Sequence, residues 1–409
     1  MRPLRVVVAG SVDDGKSTLI GWLLLDCGAL LADQLAALRV PAASEAQLDL
    51  ARATDGLEAE RAQSITIDVA HRSFATPRRK FLLADAPGHE QYTRNMVTAA
   101  AGADAAVVLV DPTKLDLAAA PIRLLPQTRR HALLARLVGV PSLVFAVNKL
   151  DAVADAATVF ARTRGAVERF CAEAGLAPTA ILPISALRGD NVVRAQGEGP
   201  SLLDTLEALP AGAADAGAPL RLPVQYVARH PDGTRVLWGR IERGRLAVGA
   251  EVVALPAGRR IRVRQLWDQQ APVERGEAGR SVGVVLDGDF DLGRGDWLAA
   301  EPLPQVVSAL RARVAWLDED APATGRAYWL RHGNRWTRAH IEAIERRLDL
   351  DTLRPQPATA LRVNDIGELS LEVEDPIPLE RFAGCAATGA FILVDTATLR
   401  TAAVGLVAA

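Results

Sequence analysis

Lysine is scarce in this chain. There are four, Lys16, Lys80, Lys114 and Lys149, and arginine supplies nearly every other positive charge. Where lysine survives such a bias, the compact ammonium itself is needed rather than any cation. Cysteine is scarcer still. Cys27, Cys171 and Cys385 are too few and too far apart for a disulfide framework or a zinc site, and they fit a reducing cytoplasm. No run approaches the roughly 18–20 apolar residues of a membrane span. The first apolar run, "VVVAG" at 6–10, is too short for a signal peptide and leads straight into a glycine loop. Net charge is also nearly absent: a balance of −2 removes any global attraction to nucleic acid or anionic lipid. What is present in quantity is apolar side chain, 49% of 409 residues, enough to bury sizeable cores in several domains.

Short runs of Val, Leu and Ala at 4–9, 81–85, 106–111 and 142–147 alternate with helical stretches at 16–25, 91–101 and 157–174. That alternation predicts an α/β domain with a buried, mostly parallel sheet and flanking helices. Its last helix is "SLLDTLEAL", 201–209, and "PAGAADAGAP", 210–219, reads as a linker of small residues. From Leu220 to about Glu301, short strands are separated by turns such as "HPDG", "PAG" and "GRGD". This predicts a small antiparallel β-barrel. "EPLP", 301–304, marks a second boundary, and the remainder predicts a second barrel with one short helix near 341–348. The predicted domains are 1–212, 220–302 and 303–409.

Four motifs carry chemistry. Gly10-Ser11-Val12-Asp13-Asp14-Gly15-Lys16-Ser17, followed by Thr18, fits G-x-x-x-x-G-K-[ST] between a strand and a helix, the context a P-loop requires. Its backbone N–H groups and helix N-terminus would bind phosphate, Lys16 would reach the β- and γ-phosphates, and the Ser17 hydroxyl would bind Mg²⁺. Asp13 and Asp14 put two carboxylates beside this anion site. Since the backbone faces the phosphate, both are expected to point outward. Asp85-Ala86-Pro87-Gly88 ends a strand; Asp85 would hold Mg²⁺ through water and the Gly88 N–H would meet the γ-phosphate. Asn148-Lys149-x-Asp151 ends another. The Asp151 carboxylate can accept from guanine N1–H and the 2-amino group, which adenine lacks. Asn148 would tie this loop to the P-loop, and the Lys149 stem would lie over the base. Ser185-Ala186-Leu187 follows a further strand, with the Ala186 N–H placed to meet guanine O6. In this order the four motifs predict GTP rather than ATP as the nucleotide. Lys16 and Lys149 fall in motifs, while Lys80 and Lys114 are expected on the solvated surface.

"DGLEAERAQSITIDVA", 55–70, and "DAPGHEQYTRNMVTAAAGADAAVVLVD", 85–111, resemble the translation-factor class of GTPases. With Val-Asp-Asp-Gly-Lys in the P-loop, "GHEQYTRNM", "ISALRGDNV" and "TGAFILVD", the chain resembles more narrowly the GTP-binding large subunit of bacterial sulfate adenylyltransferase, over nearly its whole length. The resemblance implies a GTPase domain followed by two β-barrels. It also implies a heterodimer in which a small subunit transfers the adenylyl group from ATP to sulfate, giving adenosine 5′-phosphosulfate and pyrophosphate, while GTP hydrolysis drives the reaction. It assigns Thr66 to direct Mg²⁺ binding, His89 to positioning the attacking water, and Val12 with Ile65 to an apolar gate on His89. The switches, 55–70 and 85–98, would contact the small subunit. Ser64 stands where the family usually has glycine, which would stiffen the first switch. The sequence holds one P-loop, no Ser-Gly-Gly pyrophosphatase-type loop and no His-x-Gly-His, so adenylyl transfer is not expected of this chain. A fused adenylylsulfate kinase, carried by some members of the family, would need another P-loop and is not expected either. Asp13 is expected to hold a monovalent cation, K⁺, near the β–γ bridge. Asp14 stands where translation factors carry histidine. The competing readings are a translation elongation factor carrying aminoacyl-tRNA on its barrels, which the charge disfavours, and a degenerate GTPase serving as a scaffold, which the intact motifs disfavour.

Other features read as structural. Arg260, Arg262 and Arg264 of "GRRIRVR" alternate on one strand face and are expected to be solvated, with too few aromatics nearby for base stacking. His332 and His340 lack partners at metal-ligand spacing. Trp267, Trp329 and Trp336 are expected in barrel core or as interface anchors.

Overall fold

In the computed structural model, residues 3–38, 49–53, 69–89, 93–196, 199–210, 216–230, 232–269, 271–288, 290–349, 352–382 and 384–407 are described. The chain divides into two units, 1–212 with 349–354, and 213–348 with 355–409.

The first unit is built on a six-stranded sheet ordered β2-β3-β1-β4-β5-β6. The strands are β1 (Leu4–Ala9), β2 (Ala70–Ala75), β3 (Lys80–Asp85), β4 (Ala105–Val110), β5 (Ser142–Val147) and β6 (Pro178–Pro183). All neighbours run parallel except β2, which pairs antiparallel with β3 at the edge. β4, "AAVVLV", and β5, "SLVFAV", are buried at every position. That is the condition of a central parallel strand covered on both faces, and it explains why these runs do not alternate with polar residues. Val6, Val8, Leu19, Leu23, Leu83 and Val107 form the middle of one core. Because β1, β3, β4, β5 and β6 point the same way, their carboxyl ends and following loops gather along one edge, where open α/β sheets bind ligands.

The second unit contains two closed antiparallel barrels. In the first, β7 (Arg221–Arg229), β8 (Arg235–Arg240), β10 (Glu251–Leu255), β11 (Arg259–Asp268), β14 (Ser281–Leu286) and β15 (Trp297–Ala299) form a ring that the β10–β11 pairing closes, while β9 (Arg245–Ala247) pairs with β13 (Arg275–Glu277) and β12 (Ala271–Val273) with β11. In the second, β16 (Gln305–Trp316), β17 (Ala327–His332), β18 (Arg335–Leu348), β20 (Ile366–Leu379), β21 (Ala390–Asp395) and β22 (Thr401–Val407) form a ring that the β17–β18 pairing closes, with β19 (Pro355–Pro357) paired to β18. Closure leaves neither ring an unpaired edge. The α/β domain followed by two small antiparallel barrels is thus the observed fold class.

The helix expected near 341–348 is instead the second half of β18. Ile341 and Ile344 stand three apart, a helical spacing, because the pairing of β18 with β20 slips between Ile341 and Ala343 and again between Ile344 and Arg346. Each bulge adds a residue and shifts the alternation by one. Of the tryptophans expected in core or interface, Trp336 is 46% exposed, whereas Trp297 and Trp316 are the ones fully buried. Arg260 is exposed, as its strand face predicts, and its guanidinium reaches Glu251 at 3.0 Å and Glu301 at 2.9 Å. His332 is buried, with its Nε2 2.9 Å from the Thr388 carbonyl oxygen and its ring stacked on Trp297. Among the described residues no group of three or more His, Cys, Asp or Glu could hold a metal ion. No described helix is long and apolar enough to cross a membrane.

The two barrels share a buried joint. Arg221 donates to Glu380 Oε1 at 2.8 Å, to the Leu220 and Ala300 carbonyls at 2.8 and 2.9 Å, and to the Pro302 carbonyl at 2.7 Å. Glu380 Oε2 accepts from the Thr388 hydroxyl at 2.8 Å. Substituting Arg221 with Met would leave this carboxylate only the more distant Arg243, at 3.9 Å; breaking a buried pair on one side costs about 3–5 kcal/mol, less where a second cation remains. Urea unfolding followed by tryptophan fluorescence should show an earlier transition for R221M, partly recovered in R221M/E380M. An unchanged midpoint for R221M would remove the joint from the stability of this unit.

Candidate functional site

The P-loop leaves β1 at Gly10 and enters the helix Lys16–Asp26 through Gly15. Gly15 has φ +93°, a region that L side chains rarely adopt, and a Cβ there would lie 2.5 Å from Asn148 Nδ2. Glycine is therefore required twice over, for conformation and for space. Asn148, buried at the end of β5, uses that space: its Nδ2 donates to the Asp14 carbonyl at 2.7 Å. Its Oδ1 accepts from the Ala186 N–H at 2.8 Å. The Ala186 N–H, expected to meet guanine O6, is here engaged in holding Asn148. Ser185 Oγ donates to Asp151 Oδ1 at 2.6 Å, fixing the carboxylate at the mouth of the site. The three loops after β1, β5 and β6 are thus tied together by side chains.

At the phosphate end, Lys16 is almost fully buried and its Nζ donates to the Ser11 carbonyl at 2.8 Å. Burial pulls its ammonium below the ordinary lysine range, against the opposing charges of Asp85 and Asp14. Ser17 Oγ donates to Asp85 Oδ2 at 2.8 Å. A hydroxyl and a carboxylate in contact are hard oxygen donors of the kind Mg²⁺ takes alongside substrate phosphates. Gly88 lies against the loop: a Cβ on it would meet Lys16 Nζ at 2.7 Å and the Val12 backbone N at 2.9 Å. A cavity of about 400 Å³ opens here, lined by Val12, Asp13, Gly15, Lys16, Ser17 and Thr18 at one end and by Asn148, Lys149, Asp151, Ala186 and Leu187 at the other, with Gly88 and His89 beside it. Thr66, with Ser64 and Ile65, lies outside the described residues.

One expectation fails at this site, and a second is incomplete, for one reason. Asp14 does not point outward; it is 0% exposed, and its Oδ2 accepts from the Ser11 N–H at 2.6 Å. Lys114 is exposed, as expected, but it is engaged with the buried loop. Its Nζ stands 2.8 Å from Asp14 Oδ1, donates to the Val12 carbonyl, and lies 3.7 Å from Asp111 Oδ2. Burial raises the Asp14 carboxyl above its ordinary range in spite of the Lys114 hydrogen bond and charge that pull it down. Asp111, just past β4, accepts from Thr113 N and Oγ1 at 2.9 and 2.6 Å and pairs with Lys149 Nζ at 2.8 Å. Burial works to raise its carboxyl, but the Lys149 and Thr113 hydrogen bonds together hold it below the usual range. Asp111 and Lys114 were not among the residues the motifs pointed to. The available signal was the scarcity of lysine: Lys80 alone of the four is an exposed side chain apart from this site.

Replacing Gly15 with Ala should weaken nucleotide binding by about tenfold or more. The left-handed conformation costs an L residue about 1–2 kcal/mol, and Asn148 must also give way. Titration with a fluorescent GDP should show affinity lower by about tenfold from the backbone term alone, at about 1.4 kcal/mol per decade. Affinity equal to that of the unaltered chain would contradict this account of the loop.

The profile of the elongation factor Tu GTP binding domain matches residues 1–211, and that of the GTP-eEF1A C-terminal domain-like family matches 309–408. The chain is 39% identical to sulfate adenylyltransferase subunit 1 of Laribacter hongkongensis, over 99% of this chain and 85% of that one. It is 43% identical to the bifunctional enzyme NodQ of Azospirillum brasilense and to the bifunctional enzyme CysN/CysC of Mycobacterium tuberculosis, over 99% of this chain and 66% and 67% of theirs. A solved structure of sup35 complexed with GDP aligns over 100% of this chain and 94% of its own, with 24% identity and a TM-score of 0.46.

Proposed function

The chain belongs to the family of sulfate adenylyltransferase subunit 1, whose nucleotide domain is of the elongation factor Tu type, and we propose that it is the GTPase subunit of that enzyme. GTP hydrolysis here drives the formation of adenosine 5′-phosphosulfate and pyrophosphate from ATP and sulfate, and a separate small subunit transfers the adenylyl group. The observation that carries the reading is Asp151, held by Ser185 at one end of a cavity whose other end is the P-loop with Lys16. A fixed carboxylate there accepts the two donors on the guanine edge, and adenine supplies neither. Relatives named sulfate adenylyltransferase subunit 1 match 99% of the chain, which supports this reading over that of an aminoacyl-tRNA carrier.

In this mechanism water attacks the γ-phosphorus, the bond to the β–γ bridging oxygen breaks, and GDP and phosphate leave. Lys16 and the P-loop N–H groups hold the phosphates. Ser17 and Asp85, with Thr66, would hold Mg²⁺, which would neutralise charge on the transferring phosphoryl group. Gly88, packed on Lys16, offers its N–H to the γ-phosphate, and His89 orients the water. Catalysis of this transfer is mostly positioning and charge stabilisation, so a single imidazole suffices. Asp13, exposed and lining the cavity, would hold K⁺; equal turnover in potassium and lithium would remove that role. The switches, 55–70 and 85–98, form the contact with the small subunit, in a soluble cytoplasmic heterodimer. The domain limits follow as 1–212, 220–302 and 303–409.

Substituting Asp151 with Asn puts an amide donor where guanine presents its amino group. GTP affinity should fall and that for xanthosine triphosphate, which has a carbonyl there, should rise by about tenfold or more, one decade per ~1.4 kcal/mol. Unchanged base preference would place the base elsewhere. In the co-purified complex, GTP turnover should rise with ATP and sulfate present, and H89A should lower it by about 10²-fold, the scale of a positioned catalytic side chain. Turnover indifferent to the small subunit and its substrates would sink the coupled reading.

A further inference from the structure

Lys114 is the third lysine at the nucleotide site and belongs to none of its motifs. One nitrogen atom serves the Val12 carbonyl, the buried Asp14 carboxylate at 2.8 Å and, at 3.7 Å, Asp111. Asp111 in turn pairs with Lys149 at 2.8 Å. Four alternating charges, Asp14, Lys114, Asp111 and Lys149, therefore run from the phosphate loop to the loop that carries Asp151. A compact ammonium can sit among a carbonyl and two carboxylates, whereas a planar guanidinium directs its donors in fixed forks.

The bond to Val12 matters most. The Val12–Asp13 peptide is trans, so its C=O and N–H point in opposite directions in one plane. With the carbonyl drawn to Lys114, the Asp13 N–H is turned the other way. That N–H donates to no acceptor among the described residues, and Asp13 lines the cavity. A backbone N–H left open beside a phosphate pocket is a donor held ready for an anionic oxygen. The Asp14 side chain steadies the same turn, with Oδ2 on the Ser11 N–H at 2.6 Å and Oδ1 on Lys114.

We propose that Lys114 is a positioning residue, which sets the Val12–Asp13 peptide so that the Asp13 N–H faces the bound phosphates, and which links that setting through Asp111 and Lys149 to the base-reading loop. The inference rests on the guanine-nucleotide reading of the cavity. Lys114 touches no reacting atom; it acts through the peptide it orients. The N–H it aims contributes where charge gathers as the γ-phosphoryl leaves, so its loss falls more on turnover than on binding.

Single-turnover GTP hydrolysis by the full chain tests this in K114M, D14N/K114M and K80M. K114M should lower the rate by about 10–100-fold, somewhat less than deleting a transition-state donor outright, with a smaller change in fluorescent GDP affinity. D14N/K114M buries no unmatched charge and keeps an acceptor for the Ser11 N–H. If Lys114 serves only to neutralise Asp14, this double variant recovers both melting temperature and rate. If Lys114 aims the peptide, the melting temperature recovers and the rate stays low. K80M, altered at an exposed lysine remote from the site, should match the unaltered chain. A rate restored in D14N/K114M, or undiminished in K114M, overturns the inference. An unaltered chain that binds neither GDP nor GTP would instead refute the guanine-nucleotide reading itself.

Discussion

Asp14 is an anion removed wholly from water directly beneath a loop whose task is to hold other anions. Desolvation acts against its charge, and the site exists because that charge is met on both oxygens, by the Ser11 N–H and the Lys114 ammonium. A buried carboxylate matched on one side only is strongly destabilising, so the loop cannot relax away from either donor cheaply. Its carbonyl is drawn in a third direction by Asn148. Three bonds from one residue thus fix the curvature of the P-loop before any nucleotide arrives, which is what preorganised anion binding requires.

The same bonds make phosphate recognition and base recognition one structure. Asn148 spans from Asp14 to the Ala186 N–H, and Ser185, next to Ala186, fixes Asp151. On the other side, Lys149 reaches Asp111, which Lys114 also approaches. Gly88, with no side chain, lets the loop after β3 lie on Lys16 itself. Anything that moves Lys16 cannot leave that loop undisturbed.

Much of this was legible in the sequence because it is local. A P-loop is a contiguous string, β4 and β5 are unbroken apolar runs, and the strand-end motifs come in the order in which the sheet presents them. The α/β domain, the two barrels and the lining of the cavity follow from such strings. What was not legible depends on distance along the chain. Asp14 and Lys114 are 100 residues apart, and nothing within a few residues of either marks the pair. An outward-pointing Asp14 is the sound expectation for a loop considered alone; the strand that brings Lys114 over it reverses the result. The misread helix near 341–348 has a different origin. Two bulges in β18 moved its apolar residues into a helical spacing, and a bulge is set by the partner strand. The burial of Trp297 and Trp316 rather than Trp336 likewise depends on which face of each strand closes the ring.

The scarcity of lysine has a practical side. Amine-selective reagents meet only four side-chain targets in this chain: Lys16 and Lys149 line one cavity, Lys114 holds the P-loop from beside it, and Lys80 is exposed at the start of β3. Lys16 is nearly inaccessible, whereas the side chains of Lys114 and Lys149 keep about a third of their surface. Covalent labelling would therefore be an unusually direct footprint of site occupancy, because protection by a bound molecule must appear at Lys149, which lines the cavity, against a constant signal from Lys80. In a lysine-rich homologue the same reagent would report mostly on the outer surface.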